Sequence, residues 1–348
     1  ITRALIGWMP GGLSVVALAA CALFTAFTGA SGVTIIALGA LLLPALIEDG
    51  YDEKFSLGLV TTSGSLGLLF APSLPLILYG IVAQQTASGA SVSIDSLFLA
   101  GALPGIVMVA MLSGWAIWRN RKLRLPIASF STAELRAAAR ESMWDIPLPI
   151  IVLGGIYGGY FAVSEAATVT VVYVLIVEVL ILREIKLCDL PGIVRKSMAL
   201  VGGIMVILGL SLASTTYMID AGVPQKLFAF VREHVSSQLS FLLLLNLFLL
   251  VLGAILDIFS ALVLVVPLIL PVAVGFGVDP LHLGIIFLAN MQLGYLTPPI
   301  GLNLFIAGYR FEQPITRIYR STIPFFIVLL LSVLLITYWP ALSLWLPG

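Results

Sequence analysis

Charge is scarce in this chain. Lysine and arginine number 17 among 348 residues, aspartate and glutamate another 17, and the net charge is zero. A soluble domain carries about a quarter charged residues. At 10% charged, with a mean hydropathy of +1.14, this chain reads as an all-α polytopic membrane protein. Balanced charge leaves no basic face for nucleic acid. Cysteine and histidine are rarer still, two of each. Cys21 lies in an apolar run and Cys188 in a charged loop, which excludes a disulfide framework. His234 and His282 are far apart and lack an HExxH setting, which argues against hydrolytic metal chemistry. There is no P-loop and no Ser-His or Cys-His nucleophile arrangement, so the chain is not read as an enzyme. Its work should be driven by an ion gradient. The first residue is Ile1 and no signal-peptide pattern precedes the first apolar stretch. The expectation is a fragment whose natural N-terminal portion lies upstream.

The few charges are informative by position. Cytoplasmic loops collect Lys and Arg, and a spanning helix needs about 20 apolar residues. The richest basic stretch holds Arg119, Arg121, Lys122, Arg124, Arg136 and Arg140. Within it, Ser131-Thr-Ala-Glu134 reads as a capping box that starts a short surface helix. Two further basic stretches hold Arg183, Lys186, Arg195 and Lys196, and Arg310, Arg317 and Arg320. With all three inside, Leu97 to Trp118 spans once and Gln84 to Ser96 is periplasmic. Phe55 to Ala83 crosses once, and Leu13 to Ile47 enters from the cytoplasm and returns. Pro147 to Leu182 goes out and back, turning near Ser164-Glu165, and Met198 to Ile219 crosses outward. Asp220 to Gln238 is then periplasmic, and Leu239 to Phe276 enters and returns on that side. Leu281 to Ala307 crosses inward, and Ser321 to Leu346 crosses out.

A repeat underlies this layout. Leu43 to Ala83 recurs without a gap, 227 positions later, as Leu270 to Arg310. Pro44 falls on Pro271, Gly50 on Gly277, Asp52 on Asp279, Leu66-Gly67 on Leu293-Gly294 and Pro72 on Pro299. The matches concentrate in residues that shape backbone. By the charge rule the two copies run in opposite directions, so they form an inverted pair. Paired, interrupted apolar segments point to the binding site of a secondary transporter. Parity alone leaves open whether each out-and-back unit is two full spans or a re-entrant hairpin.

Four apolar segments carry polar or glycine clusters: TAFTGASGVT at 25–34, TTSGSLGLLFAPS at 61–73, LDIFS at 256–260 and ANMQLGYLTPPIGLN at 289–303. Gly and Pro interrupt helices and free carbonyls and amides that lipid cannot satisfy. Such carbonyls, with Ser, Thr, Asn and Asp oxygens, form a hard ligand set suited to Na⁺. Helix N-termini beside them favour an anionic group. Asp257 stands out, because an ionisable group in a long apolar run is costly and usually functional. Its competing reading is a loop-exposed turn residue. Glu165 reads either as functional or as a helix cap. Asp52 and Asp279 read as helix caps, Glu178 as an interfacial residue, and His234 and His282 as surface residues near helix ends.

Several of these motifs resemble the large membrane subunit of tripartite ATP-independent periplasmic (TRAP) transporters. They are Ala45-Leu-Ile-Glu-Asp-Gly-Tyr-Asp52, Pro72-Ser-Leu-Pro-Leu-Ile-Leu-Tyr-Gly80, Phe98-Leu-Ala-Gly-Ala-Leu-Pro-Gly105, Ser164-Glu-Ala-Ala167 and Leu296-Thr-Pro-Pro-Ile-Gly-Leu-Asn-Leu-Phe305. The resemblance implies an elevator-type transporter with inverted repeats, each a re-entrant hairpin plus a broken transmembrane helix. The first repeat core is then 11–83 (hairpin 13–47, broken helix 55–83) and the second 239–308 (hairpin 239–276, broken helix 281–307). The hairpin tips fall at Thr28 to Ser31 and Asp257 to Ser260. Scaffold-type helices and cytoplasmic loops occupy 97–219, and a C-terminal helix 321–346.

The resemblance further implies Na⁺-coupled uptake of an organic acid, a carboxylate or sialic-acid-like anion, across the bacterial inner membrane. It implies two protein partners, a small membrane subunit, separate or fused, and a periplasmic substrate-binding protein. On that basis Ser31, Ser63, Gly64 and Ser65 are expected to build one Na⁺ site, and Asp257, Asn290, Gly294 and Thr297 the other. Thr34, Ser73 and Pro298 are expected to face the substrate. The family has an acidic residue where this chain has Thr34, and a paired proline where it has Ala71-Pro72, so unequal ion binding by the two halves is expected. The competing expectations are a Na⁺/dicarboxylate symporter that needs no binding protein, a membrane-embedded hydrolase, and a purely structural membrane subunit.

Overall fold

The computed structural model describes residues 11–86, 92–121, 140, 143–144, 147–158, 160, 162–235 and 237–348. Ser131 to Glu134, the expected capping box, lies outside the described residues, as does most of the basic stretch around it. Among the described residues there are helices and no strands. Six helices are long and apolar enough to cross a membrane, and Glu53–Leu69 with Leu74–Gln84 forms a further broken pair bent by 42°. The protein is a multi-pass, all-α membrane protein. Its contacts divide it into two compact units, 131–217 and the remainder.

In the smaller unit, Pro147–Tyr157 precedes Val163–Leu175, which runs on into a π-helical stretch, Ile176–Ile181. Glu165 accepts a hydrogen bond from Ala162 N at 2.9 Å. Its role is therefore that of the cap, satisfying an amide that a helix start leaves free. The long helix Leu190–Asp220 begins in this unit.

The larger unit is built from the repeat. In the first copy a hairpin of Gly12–Thr28 and Ser31–Glu48 precedes a broken helix, Glu53–Ser63 and Leu74–Gln84, with a 3₁₀ turn at Leu66–Leu69 between its halves. In the second, Gln238–Ile255 and Ile258–Gly275 precede Pro280–Gly294 and Leu302–Arg310. Ser31 and Ile258 start the second arms, and Glu53 and Pro280 start the broken helices, each pair 227 positions apart. The local causes repeat as well. Gly50 and Gly277 adopt φ of 91° and 80°, a left-handed conformation that side chains disfavour. Asp52 accepts from Phe55 N, and Asp279 accepts from Leu281 N and His282 N. These two acids are helix caps. Each break carries a cis X–Pro bond, Ala71-Pro72 and Pro298-Pro299.

Packing joins the copies crosswise. The second arm of the first hairpin lies on Leu302–Arg310, and the second arm of the second lies on Leu74–Gln84. Tyr79 donates its hydroxyl to Pro280 O at 2.6 Å and fills the space beside Gly284. Within each copy, a glycine lets the break approach its own hairpin. A Cβ on Gly67 would lie 2.2 Å from Ala22 O, and one on Gly294 would lie 2.5 Å from Gly253 Cα. The helices that follow each repeat, Ile94–Asn120 and Ile315–Tyr338, belong to this larger unit. Trp115 and Phe325 meet edge-on at 4.6 Å, against Phe55.

Two expectations are corrected. His282 is buried, not at the surface; its Nε2 is 3.2 Å from Thr337 O. The broken helix carrying it is enclosed on all sides, so an amphipathic pattern that would reveal its facing is missing. The third basic stretch is not wholly loop. The helix Ile315–Tyr338 contains Arg317, which pairs with Glu53 at 2.7 Å.

The glycine contacts give a direct expectation. Gly67→Ala places a methyl against backbone that cannot yield, so it should destabilise by about 1–3 kcal/mol or more. The melting temperature of the purified protein should fall, whereas Gly114→Ala, inside a helix and meeting nothing within 4 Å, should not lower it.

Candidate functional site

The first break is bound to its own hairpin by hydroxyls. Thr25, on the first arm, donates to Gly64 O at 2.9 Å and lies 2.7 Å from Thr34 Oγ1 on the second arm. With its one hydrogen given to Gly64, Thr25 receives that of Thr34. Gly64 has no space for a side chain: a Cβ would lie 2.5 Å from Ile35 Cγ1 and 3.2 Å from Ser31 O. The Ser31 carbonyl, Gly64 and Thr34 are thus gathered at one place. Ser63, also buried, donates to Val60 O at 3.1 Å. Ser65 is reached from the other repeat. Asn303 Nδ2 lies 3.3 Å from Ser65 Oγ and 3.4 Å from Thr61 O. Asn303 Oδ1 is buried without a hydrogen-bond partner, as is Thr62 Oγ1.

The second break is bound to the tip of the second hairpin. The Tyr295 hydroxyl accepts from Ile258 N at 2.7 Å. Ile300 N and Gly301 N both donate to Ala254 O, at 3.2 and 3.3 Å. These bonds lay residues 295–301 against residues 254–258. Asp257 caps the second arm: Oδ1 accepts from Phe259 N at 2.9 Å and Ser260 N at 3.0 Å, and Oδ2 accepts from Ser260 Oγ at 2.6 Å. The carboxylate is nonetheless exposed. Thr297 donates to Leu293 O at 3.0 Å. Asn290 sits elsewhere. Its Nδ2 donates to Asn246 Oδ1 at 2.6 Å and Ile286 O at 2.9 Å, and Asn246 Oδ1 also accepts from Thr337 Oγ1 at 3.1 Å. Asn290 therefore ties the broken helix to the hairpin's first arm and, through Asn246, to Ile315–Tyr338.

Of the residues expected at the substrate, Thr34 and Ser73 are fully buried. The Ser73 hydroxyl donates to Leu68 O at 2.8 Å. Pro298 is exposed, with Pro299 and Ile300. Helix starts lie beside both breaks. A Cβ on Gly29 would lie 2.8 Å from Leu74 Cβ, so the helices beginning at Ser31 and Leu74 start side by side. The bonds to Ala254 O do the same for those beginning at Ile258 and Leu302. The positive ends of paired helices favour a nearby anion, although at the second break the amides of Ile258, Phe259 and Ser260 are already taken by Tyr295 and Asp257. Beside the helix starts stand carbonyl, hydroxyl, amide and carboxylate oxygens, the donor set of a hard monovalent cation.

Residue typing alone singled out the clusters but not Thr25, Tyr295, Gln292 and Asn303. Asn303 lay within the TPPIGLN run, where its reach across to Ser65 had no local signal. Gln292 is 227 positions after Ser65 and is fully buried with both amide atoms unbonded. The repeat offset could have found it.

Comparison with known proteins places these features in a family. A family model described as "Tripartite ATP-independent periplasmic transporter, DctM component" matches residues 1–342. A C4-dicarboxylate TRAP transporter large permease protein from Pseudomonas aeruginosa is 34% identical over 99% of this chain and 80% of its own length. An isethionate TRAP transporter permease from Oleidesulfovibrio alaskensis is 30% identical over 99% of this chain and 53% of its own length. An ectoine TRAP transporter large permease from Halomonas elongata is 30% identical over 99% and 80%. Among solved structures, the YdaH transporter of Alcanivorax borkumensis shares the fold, with a TM-score of 0.65 at 15% identity over 100% of this chain and 85% of that one.

Tyr295→Phe should loosen the second tip. It leaves the buried Ile258 amide without an acceptor, at a cost of about 1–3 kcal/mol. Hydrogen exchange at 255–260 of the purified protein should quicken. Unchanged exchange there would show that this bond does not hold the tip.

Proposed function

The chain belongs to the tripartite ATP-independent periplasmic transporter family as a DctM component, and from that membership we propose that it is a Na⁺-coupled permease importing an organic acid across the bacterial inner membrane. The observation that carries this reading is the inverted pair of helix breaks, each held by a hairpin and each combining side-chain and carbonyl oxygens with paired helix starts. Na⁺ is the coupling ion and the organic anion is the cargo.

The first Na⁺ position is assigned to the carbonyls of Ser31 and Gly64 with Ser63 and Ser65. The unpartnered oxygen of Asn303 supports it, because a buried acceptor without a donor suits a cation. The second is assigned to Asp257, Thr297 and the carbonyls near Gly294. Asn290 holds this broken helix in place through Asn246 and Thr337. The cargo would meet the exposed Pro298 first, with its anionic group toward the helix starts. Thr34 and Ser73 would shape the wall behind. Crosswise packing of hairpins and broken helices supports their movement as one body, the elevator mechanism.

The protein partners are a periplasmic binding protein that delivers and selects the cargo, and a small membrane subunit, separate or fused. The relatives' names span C4-dicarboxylates, isethionate and ectoine, which supports leaving selection to the binding protein.

The test is uptake into vesicles that hold the permease with its small subunit, using the ligand carried by the cognate binding protein. Uptake should require an inward Na⁺ gradient and fail with K⁺. Asp257→Ala should lower it at least about tenfold, the loss of roughly 1.4 kcal/mol or more of ion-linked energy, while the complex still assembles. Uptake indifferent to Na⁺ would sink the proposal. Equal uptake of free ligand without the binding protein would favour the two-component symporter.

A further inference from the structure

The helix Val223–His234 takes no part in either break. Its sequence, VPQKLFAFVREH, turns Leu227, Phe228 and Val231 toward the protein and leaves Gln225, Lys226, Arg232 and Glu233 exposed. A helix of this pattern lies in the membrane interface with its apolar side down, and the charge rule sets this segment at the periplasmic surface. It packs on the base of the second hairpin. Phe228 fills the space that a side chain on Gly275 would need. It also meets Phe276 edge-on at 5.6 Å, and Phe276 stacks on Phe241 at 4.6 Å.

Two cavities flank this aromatic cluster. The shallow one is bordered by Arg232, Gln238, Val235, Phe228 and Phe276. The deep one, about 210 Å³ and open to the exterior, is bordered only by apolar side chains, Val231, Phe241, Leu244, Leu245, Phe248 and Ile269 among them. Gln238 opens the hairpin's first arm, and Phe248 lies about ten residues further in. At about 1.5 Å per residue that is a descent of about 15 Å, half of the roughly 30 Å hydrocarbon core. A single leaflet's acyl chain has this reach. At the shallow end stands the exposed Arg232, its guanidinium 5.7 Å from the centre of the Phe228 ring.

We propose that these two cavities together hold one phospholipid of the periplasmic leaflet, with its phosphate on Arg232 in the first and one acyl chain running past Leu244 and Leu245 to Phe248 in the second. The depth, the wholly apolar lower part and the exposed guanidinium of Arg232 at the membrane surface match the three parts of such a lipid. An extended peptide segment fits less well, because its backbone would find no hydrogen-bond partner in the lower groove. The lipid bridges the interfacial helix to the base of the second hairpin.

The test uses the full transporter in vesicles of phosphatidylethanolamine and phosphatidylglycerol, with a trace of phosphatidylglycerol carrying a photoreactive group on one acyl chain. After illumination, cross-links should map to 227–231 and 241–248. Leu244→Trp, at a half-exposed position where a larger ring is tolerated, should abolish them. Arg232→Gln should lower them about fivefold, the effect of removing one basic residue from an anionic lipid surface. Three results would overturn the proposal: no labelling in the groove, labelling no stronger than at the exposed Ile327 and Leu331, or labelling indifferent to Leu244→Trp.

Discussion

A bilayer offers no hydrogen bonds to a peptide group, and this fold is organised around meeting that constraint at two helix breaks. Each break exposes carbonyls and amides in the middle of apolar sequence. Each is answered by a hairpin whose tip or first arm lies against it and supplies partners. Thr25 donates to Gly64 O, and Ala254 O accepts from Ile300 N and Gly301 N. Small residues make the approach possible: Gly67 against Ala22 and Ala26, and Gly294 against Gly253. The remaining architecture follows. The hairpins need two arms with a two-residue turn, and the outer helices enclose what the hairpins and breaks build.

The two copies satisfy the constraint with different chemistry. The first uses neutral hydroxyls, with Asn303 lent from the other copy. The second uses a phenol, Tyr295, and an acid, Asp257. The acid caps a helix through backbone amides and Ser260, so its charge is placed at a defined point on the exposed tip. Asn303 gives the pair a mechanical link. Its backbone is bonded to Tyr295 O and its side chain to Ser65 and Thr61 O. It is a direct contact between the two breaks.

What could be read from the sequence divides along physical lines. Gly50, Gly277, Asp52 and Asp279 act on their own neighbours, so pattern alone marked the glycines as shaping backbone and the acids as caps. Arginines in loops report orientation, so the inverted arrangement of the two copies followed from charge. The contacts that build the site are of another kind. Asn303 meets Ser65 across 238 positions, and Thr337 meets Asn246 across 91. Hydropathy cannot find them, because lipid-facing and enclosed residues are equally apolar. The same blindness hid the burial of His282, on a helix enclosed all round. It also left the apolar side of Val223–His234 without an assigned partner.

The central claim is that the two tips and the two breaks form Na⁺-binding structures. Hydrogen exchange of the full transporter in lipid nanodiscs, compared in Na⁺ and in K⁺ at equal ionic strength, tests it most directly. Na⁺ should slow exchange at 28–31 and 61–67 and at 256–260 and 294–301. Asp257→Ala should abolish the effect in the second pair of segments while sparing the first. Exchange that is the same in both salts at all four segments would contradict the account.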